Sequence, residues 1–346
     1  MGLKNQLDIF LITYNRDEAL DKTLEMISAD NSPIKDFTIR IIDNNSADNT
    51  LEVIKKHQTR NKNLHCLRNK YNIGGNANIM KAFYLAEKEY VWILADNDYY
   101  CWESWYEVEK AAAAKYDAIM VSNYGCPQIS IAQLCNQATF LPGVIYKTSN
   151  IDDTVMGNMA FNISNMFPHF ALFSKLINEN KKIYIVETGI VEIGNNNDKK
   201  TGKHIYTRGY NDSVHPLMRD MLWLSGYANS LHLIKDKKLR SEIISSDIFI
   251  IPFTSCRMFK LNKKLGRNNF YNILSIFCVL NISDKIKFII NYIVYKLIYN
   301  IIYVYSECKR PEKGAEYIEC DLHLSFLTKN RIIYHNSKYK KLSKTA

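Results

Sequence analysis

The chain has 346 residues, 47% of them hydrophobic, with only 13 glycines and 7 prolines, which excludes a low-complexity polypeptide and allows one large domain or a domain with an appendage. Its eight cysteines (Cys66, Cys101, Cys126, Cys135, Cys256, Cys278, Cys308, Cys320) form no Cys-x-x-Cys pair and have no histidine at zinc-finger spacing, so reduced, mostly buried thiols are expected rather than a disulfide frame or zinc site. The net charge of +10 is uneven: residues 230–346 carry 21 Lys and Arg against 9 Asp and Glu, so the first two thirds are near neutral and the last third suits an anionic partner or a solvated basic face.

The first eight residues are polar and the apolar run after them is short, with no cleavage pattern, so no signal peptide and a cytosolic N-terminus are expected. Residues 7–12 read as a buried strand and 17–29 as a helix with Leu20, Leu24 and Ile27 on one face, ended by Asn31-Ser32-Pro33. A second strand over 37–42 leads to Asp43-Asn44-Asn45-Ser46, with Ser46 expected to cap a helix over 47–57. A third strand, 64–67, precedes Asn72-Ile73-Gly74-Gly75-Asn76 and a helix with Ile79, Phe83 and Ala86 inward.

The fourth strand, Tyr90-Val91-Trp92-Ile93-Leu94, is apolar enough to be buried on both faces and ends at Ala95-Asp96-Asn97-Asp98. A helix from about 103 to 114 and a fifth strand over 118–122 follow. Alternating units with short connections specify an α/β fold, a mostly parallel sheet flanked by helices.

Beyond residue 124 the pattern weakens. A β-type run is expected over 157–163, a helix over 168–178 and a strand over 183–186. Residues 194–215 form a long polar loop, of a length that marks a functional lid or a disordered segment, and from 216 onward the chain reads helical and basic. The apolar stretch 286–305 is interrupted by Lys287, Asn291, Lys296 and Asn300, which makes a membrane span costly. It reads as a helix partly buried in the protein and partly in the membrane interface, its tyrosines (Tyr292, Tyr295, Tyr299, Tyr303, Tyr305) at headgroup level, with a purely structural core helix as the alternative.

In an open α/β sheet, ligands bind at the carboxyl ends of the strands. Here those ends deliver an aromatic ring and polar groups (Thr13, Tyr14, Asn15, Arg16), an acceptor for a base or ribose (Asp43, Asn44), a glycine turn (Asn72, Gly74) and two carboxylates one residue apart (Asp96, Asp98). Each alone is also good turn chemistry. Together they describe a nucleoside diphosphate pocket, in which the Asp pair holds Mg2+ or Mn2+ through oxygen ligands.

Four consecutive signatures, Thr13-Tyr14-Asn15-Arg16, the run from Ile42 through Asp43-Asn44-Asn45-Ser46 to Thr50, Asn72-Ile73-Gly74-Gly75 and Ala95-Asp96-Asn97-Asp98, resemble those of family 2 glycosyltransferases with the GT-A fold. The resemblance is specific over about residues 7–123 and weaker to 193. It implies a GT-A domain, set at 1–215, with a nucleotide-sugar half (1–123) and an acceptor half with a flexible loop (124–215); residues 216–346 are read from composition and pattern alone as a helical, basic region expected to associate with a membrane. It also implies that Thr13 to Arg16 and Asp43 hold the nucleoside, that Asn97 lies near the ribose, and that Asp96 and Asp98 bind metal and diphosphate as an Asp-x-Asp motif.

Where such enzymes present a catalytic carboxylate at a helix start, this chain has Phe167-Pro168-His169, so His169 is a candidate base, with Asp152 and Asp153 as alternatives. His204 in the polar loop is a candidate third metal ligand, and Arg208 and His215 are candidate phosphate or metal contacts.

The expected activity is inverting transfer of a sugar from a UDP sugar to a hydroxyl of a membrane-linked glycan or glycolipid acceptor, in bacterial surface polysaccharide synthesis. Localisation is expected at the inner face of the membrane, on anionic lipid, with oligomerisation left open. A sugar nucleotidyltransferase or dinucleotide enzyme is the alternative, although no Gly-x-Gly-x-x-Gly follows any strand. A nucleic-acid binder is disfavoured, because the C-terminal lysines lie among Ile and Asn rather than in a binding motif.

Overall fold

The computed structural model describes residues 2–122, 129–163, 167–194 and 226–245, together with 274, 277, 278, 280, 282–290, 292 and 293. The chain divides into two compact units, 1–248 with 274–279, and 249–273 with 280–346.

The first unit begins with the alternation that the apolar runs demand: β1 (Leu7–Thr13), α1 (Asp17–Ser28), β2 (Ile39–Asp43), α2 (Thr50–Arg60), β3 (Leu64–Arg68), α3 (Gly75–Tyr84) and β4 (Tyr90–Ala95). A short β5 (Tyr99–Tyr100), α4 (Trp105–Ala113), β6 (Ala118–Met120), α5 (Ile131–Gln137), β7 (Val144–Lys147), α6 (Asp153–Phe161), α7 (Phe170–Asn178), β8 (Ile183–Ile185), β9 (Val191–Glu192) and α8 (Lys237–Ser245) follow. The main sheet has seven strands in the order β3-β2-β1-β4-β7-β6-β8, with β7 alone antiparallel to its neighbours.

β1 and β4 are the central pair. Leu7, Ile9, Phe10, Leu11, Val91, Trp92 and Leu94 are wholly buried, which requires helices on both faces, and Leu20, Leu24 and Ile27 of α1 cover one of them with Ile54 of α2. Because β1 sits between β2 and β4 in parallel register, with Thr13 opposite Asp43 and Ile12 opposite Ala95, the loops after these three strands open side by side.

Two local expectations change. The run 157–163 is not a strand: α6 spans Asp153–Phe161, because Asp152 caps it by accepting from Val155 N at 2.8 Å, and Val155 and Met159, four residues apart, are its buried positions. Ser46 does not cap α2. Its N–H and hydroxyl both turn back to Asp43 Oδ1, at 3.0 and 2.5 Å, and α2 starts later, at Thr50.

In the second unit, residues 282–290 are helical. Ile282 (76% exposed), Ile286 (52%), Ile289 (45%), Ile290 (54%) and Ile293 (49%) fall on one face at about 100° per residue, flanked by Lys285 and Lys287. Positions 294–305 of the apolar stretch lie outside the described residues, as does the polar loop with His204, Arg208 and His215.

Candidate functional site

The first wall of the site is the β1 loop. Asn15 adopts a left-handed φ of 52°, which Asn tolerates, and the turn is stitched to the β2 loop: Asn15 N donates to Ser46 Oγ (2.9 Å), Ala47 N to Asn15 Oδ1 (2.7 Å) and Arg16 N to Thr50 Oγ1 (3.1 Å). Tyr14 is half-buried in this turn. Asp43 is fully buried with Oδ1 taken by Ser46, while among the described residues Oδ2 has no hydrogen bond and meets Arg68 Nε at 3.5 Å, a loose ion-pair distance. That leaves one Asp43 oxygen able to accept from an incoming ligand.

The third loop is held by an asparagine network. Asn44 Oδ1 accepts from Ile73 N (3.0 Å) and Asn69 Nδ2 (2.9 Å), Asn44 Nδ2 donates to Asn72 Oδ1 (2.8 Å), and that oxygen also takes Gly74 N (2.9 Å). Gly74 sits at φ +86° with ψ 152°, a region that side chains disfavour, so glycine is what lets the chain enter α3 at this angle.

The two aspartates after β4 have opposite environments. Asp96 accepts from Thr13 Oγ1 at 2.8 Å and from Arg16 Nη1 at 3.2 Å, so the β1 loop spends its polar groups on it. Burial raises its carboxyl nonetheless, with Arg16 and Thr13 pulling down. Asp98, 3% exposed, accepts at Oδ1 from Gly194 N at 3.0 Å, and among the described residues its buried Oδ2 has no hydrogen-bond partner. Burial pushes its carboxyl up to about 7, the Gly194 N–H lowering it and the Asp96 charge raising it.

A buried carboxylate oxygen without a proton donor is costly, and a cation is the usual remedy. The pair therefore fits a divalent ion, with Asp98 Oδ2 as the open ligand. Among the described residues no group of three His, Cys, Asp or Glu comes together, so the protein shell here is the aspartate pair alone, and His204 lies outside the described residues.

Beneath the Asp98 turn lies an aromatic cluster: Tyr100 stacks on Trp102 at 5.4 Å, and Trp92 packs against Tyr100 at 6.2 Å and Trp105 at 5.9 Å. Burial raises the Tyr100 phenol, and the charges of Asp98 and Asp96 raise it further, so this ring lies close to both carboxylates.

The three base candidates are separated by the sheet. β7 runs antiparallel to β4 and ends with Lys147 opposite Tyr90, the first residue of β4, and Thr148 N bonds Glu89 O at 2.9 Å. Asp152 and Asp153 therefore start α6 at the amino edge, away from Asp96 by about the length of β4, roughly 20 Å at about 3.3 Å per residue. Asp152 is also committed to the α6 cap and to Lys175 at 2.7 Å, which holds its carboxyl below the usual range.

His169 is on the carboxyl edge instead. It precedes α7, is 2% exposed, and its Nε2 lies 3.1 and 3.2 Å from the carbonyls of Ala138 and Thr139, so Nε2 carries the proton and donates. Nδ1 is buried without a hydrogen bond among the described residues, and burial lowers the imidazole to about 4.

One site residue gave no sequence signal as a candidate. Gly194 reaches Asp98 across 96 positions, because β9 pairs antiparallel with β5 just after the Asp98 turn.

A sequence model of glycosyl transferase family 2 matches residues 8–180, half of the chain, covering the loops after β1 to β4 and α7 but not β9 or Gly194. The chain belongs to glycosyl transferase family 2. Within the family, an uncharacterized glycosyltransferase of Mycoplasma genitalium is 30% identical over 125 residues, 35% of this chain and 42% of that relative, so the match spans less than half of the relative's length. Among solved structures, S. aureus TarS 1-349 in complex with UDP superposes with a TM-score of 0.52 at 14% identity, over 85% of this chain and 91% of that one. That likeness shows the shared GT-A fold of this family 2 chain.

Proposed function

We propose that this family 2 protein transfers a sugar from a nucleoside diphosphate sugar, a UDP sugar, to a hydroxyl of a membrane-linked glycan acceptor with inversion at the anomeric carbon. The observation that carries the reading is the unpartnered Asp98 Oδ2 beside the tethered Asp96, at the strand ends where Asp43 also keeps one oxygen open. A bound Mn2+ or Mg2+ would offset charge on the departing nucleoside diphosphate as a Lewis acid. Thr13 and Arg16 fix Asp96, the Gly194 N–H fixes Asp98, and Asp43 with Tyr14 and Asn15 lines the nucleoside side. The UDP reading is supported by TarS, similar in fold, whose structure was solved in complex with UDP.

For the base we favour His169, which shares the carboxyl edge with the aspartate pair and whose buried Nδ1 has no hydrogen bond among the described residues. Its low pKa makes it a weak base that is always deprotonated at neutral pH.

We also place the chain at the inner face of a membrane. The isoleucine face over 282–293, its flanking lysines and the basic excess of residues 230–346 suit an interfacial helix on anionic lipid. Among the described residues no helix is long and apolar enough to cross a membrane. Vesicles with phosphatidylserine should sediment the wild-type chain, and Ile286→Glu with Ile289→Glu should release most of it.

The donor reading is tested by thermal stability with UDP, with and without Mn2+. UDP with Mn2+ should raise Tm by several degrees and UDP alone by much less. Equal stabilisation of wild type and Asp98→Ala by UDP with Mn2+ would sink the reading.

A further inference from the structure

Gly194 lies against the backbone of the Asp96-Asn97-Asp98 turn. A Cβ built on it would fall on the Asn97 carbonyl oxygen, with Asn97 C at 2.6 Å and Asp98 Cα at 3.3 Å. Both colliding groups are main chain, so no side chain can swing aside, and the approach exists only because residue 194 has no side chain. The contact is registered by a strand pair, Tyr99 opposite Glu192 and Tyr100 opposite Val191, extended by Cys101 N bonding Ile190 O at 2.8 Å. At the end of that pairing the Gly194 N–H meets Asp98 Oδ1 at 3.0 Å.

The consequence is a division of labour within one carboxylate. Oδ1 is held by a main-chain donor two residues beyond β9, which sets the carboxyl plane, and Oδ2 is the oxygen left buried without a hydrogen bond among the described residues. We propose that Gly194 is a positioning residue for the cation site: by clasping Asp98 Oδ1 it presents Oδ2 as the ligand for a divalent metal. This rests on the donor-site reading above and adds to it a residue that touches neither donor nor acceptor.

Groups that orient a metal ligand typically change metal affinity 10- to 100-fold when removed. Gly194→Ala must lift the strand away from Asn97, losing the N–H and freeing the carboxylate to rotate. The experiment is a Mn2+ titration of the full chain in the presence of UDP, followed by the electron paramagnetic resonance signal of free Mn2+, for wild type, Gly194→Ala and Asp98→Asn. The melting temperature of each chelated protein is read in parallel.

The expected result is a loss of about tenfold or more in Mn2+ affinity for Gly194→Ala, approaching Asp98→Asn, with a metal-free Tm lowered by the displaced backbone but a melt that stays cooperative. Mn2+ affinity equal to wild type, whatever the Tm, overturns the proposal and leaves the donor site standing. If wild type binds no Mn2+, the donor-site reading itself falls, and this one with it. Should Gly194→Ala fail to fold, wild-type protein labelled with 13C-carbonyl isoleucine and 15N glycine shows only the amides of Gly74 and Gly194, the two glycines that follow isoleucine. Mg2+ with UDP should then shift the Gly194 amide, and an unmoved resonance overturns the proposal.

Discussion

The two ends of the central strands hold buried aspartates in contrasting states. At the amino edge, Asp8 of β1 is 4% exposed and saturated: Arg40 pairs with one oxygen, and the N–H groups of Glu87 and Lys88 donate to the other at 2.7 and 2.8 Å. At the carboxyl edge, Asp98 is 3% exposed and keeps one oxygen with no partner. Burial is the same, so burial does not distinguish structure from function here. What distinguishes them is whether the protein completes the hydrogen bonding itself or leaves it for something that arrives.

The sharpest break of that contrast is Asp98→Asn. It should lower sugar transfer by about 1,000-fold or more, since it removes the open anionic ligand. Metal-free stability should hold or rise, because an uncompensated buried charge is gone. A loss of fold in the chelated protein would make Asp98 structural after all.

Asp8→Asn should do the reverse. Leaving Arg40 unpaired should cost about 3 kcal/mol in denaturant unfolding, within the range for breaking a buried pair, with turnover per folded molecule unchanged.

His169→Gln tests the edge assignment of the base. The amide of Gln can still donate to the Ala138 and Thr139 carbonyls, but it is not a base. Transfer should fall about 100-fold with UDP binding intact. Full transfer would reduce His169 to a tie between α7 and the 138–139 turn.

The smallest effect is a pH slope in chelated protein. Asp98 is raised from its unfolded value near 3.9 to about 7, so from about pH 4 to 7 the folded state holds the extra proton and stability falls as pH rises. His169 is lowered from about 6.5 to about 4, so over that interval the unfolded state holds the extra proton and stability rises with pH. Each slope is at most about 1.4 kcal/mol per pH unit, and the two oppose each other. Wild type should be nearly flat between pH 4 and 6.5, Asp98→Asn should gain stability with pH, and His169→Gln should lose it. Urea midpoints across that range decide the matter, and parallel curves for all three proteins would refute both environments.

Much of this was legible in the sequence wherever a period or a strand end carried it. The alternation from β1 to β6 follows from apolar runs of strand length, and the carboxyl-edge rule located Thr13, Asp43 and Asp96 before any coordinates. Residues 157–163 misled because Met159, Ala160 and Phe161 are apolar side by side, which hides a helix whose informative pair is Val155 and Met159. Ser46 had two partners to choose from, the α2 N-terminus and Asp43, and sequence spacing does not rank them. The separation of Asp152 from the site came from the reversed direction of β7, which strand propensity does not encode. Gly194 was invisible because its role is a contact across 96 residues.

The aromatic cluster below Asp98 has an optical consequence. Of the four tryptophans in the chain, Trp92, Trp102 and Trp105 pack together with Tyr100, the ring two residues after Asp98. Excitation energy absorbed by any of these three migrates readily among them at such spacings, so they emit as one cluster, joined through Tyr100 to the strand that follows Asp98. On the proposed donor site, a change in that emission would read occupancy without a label.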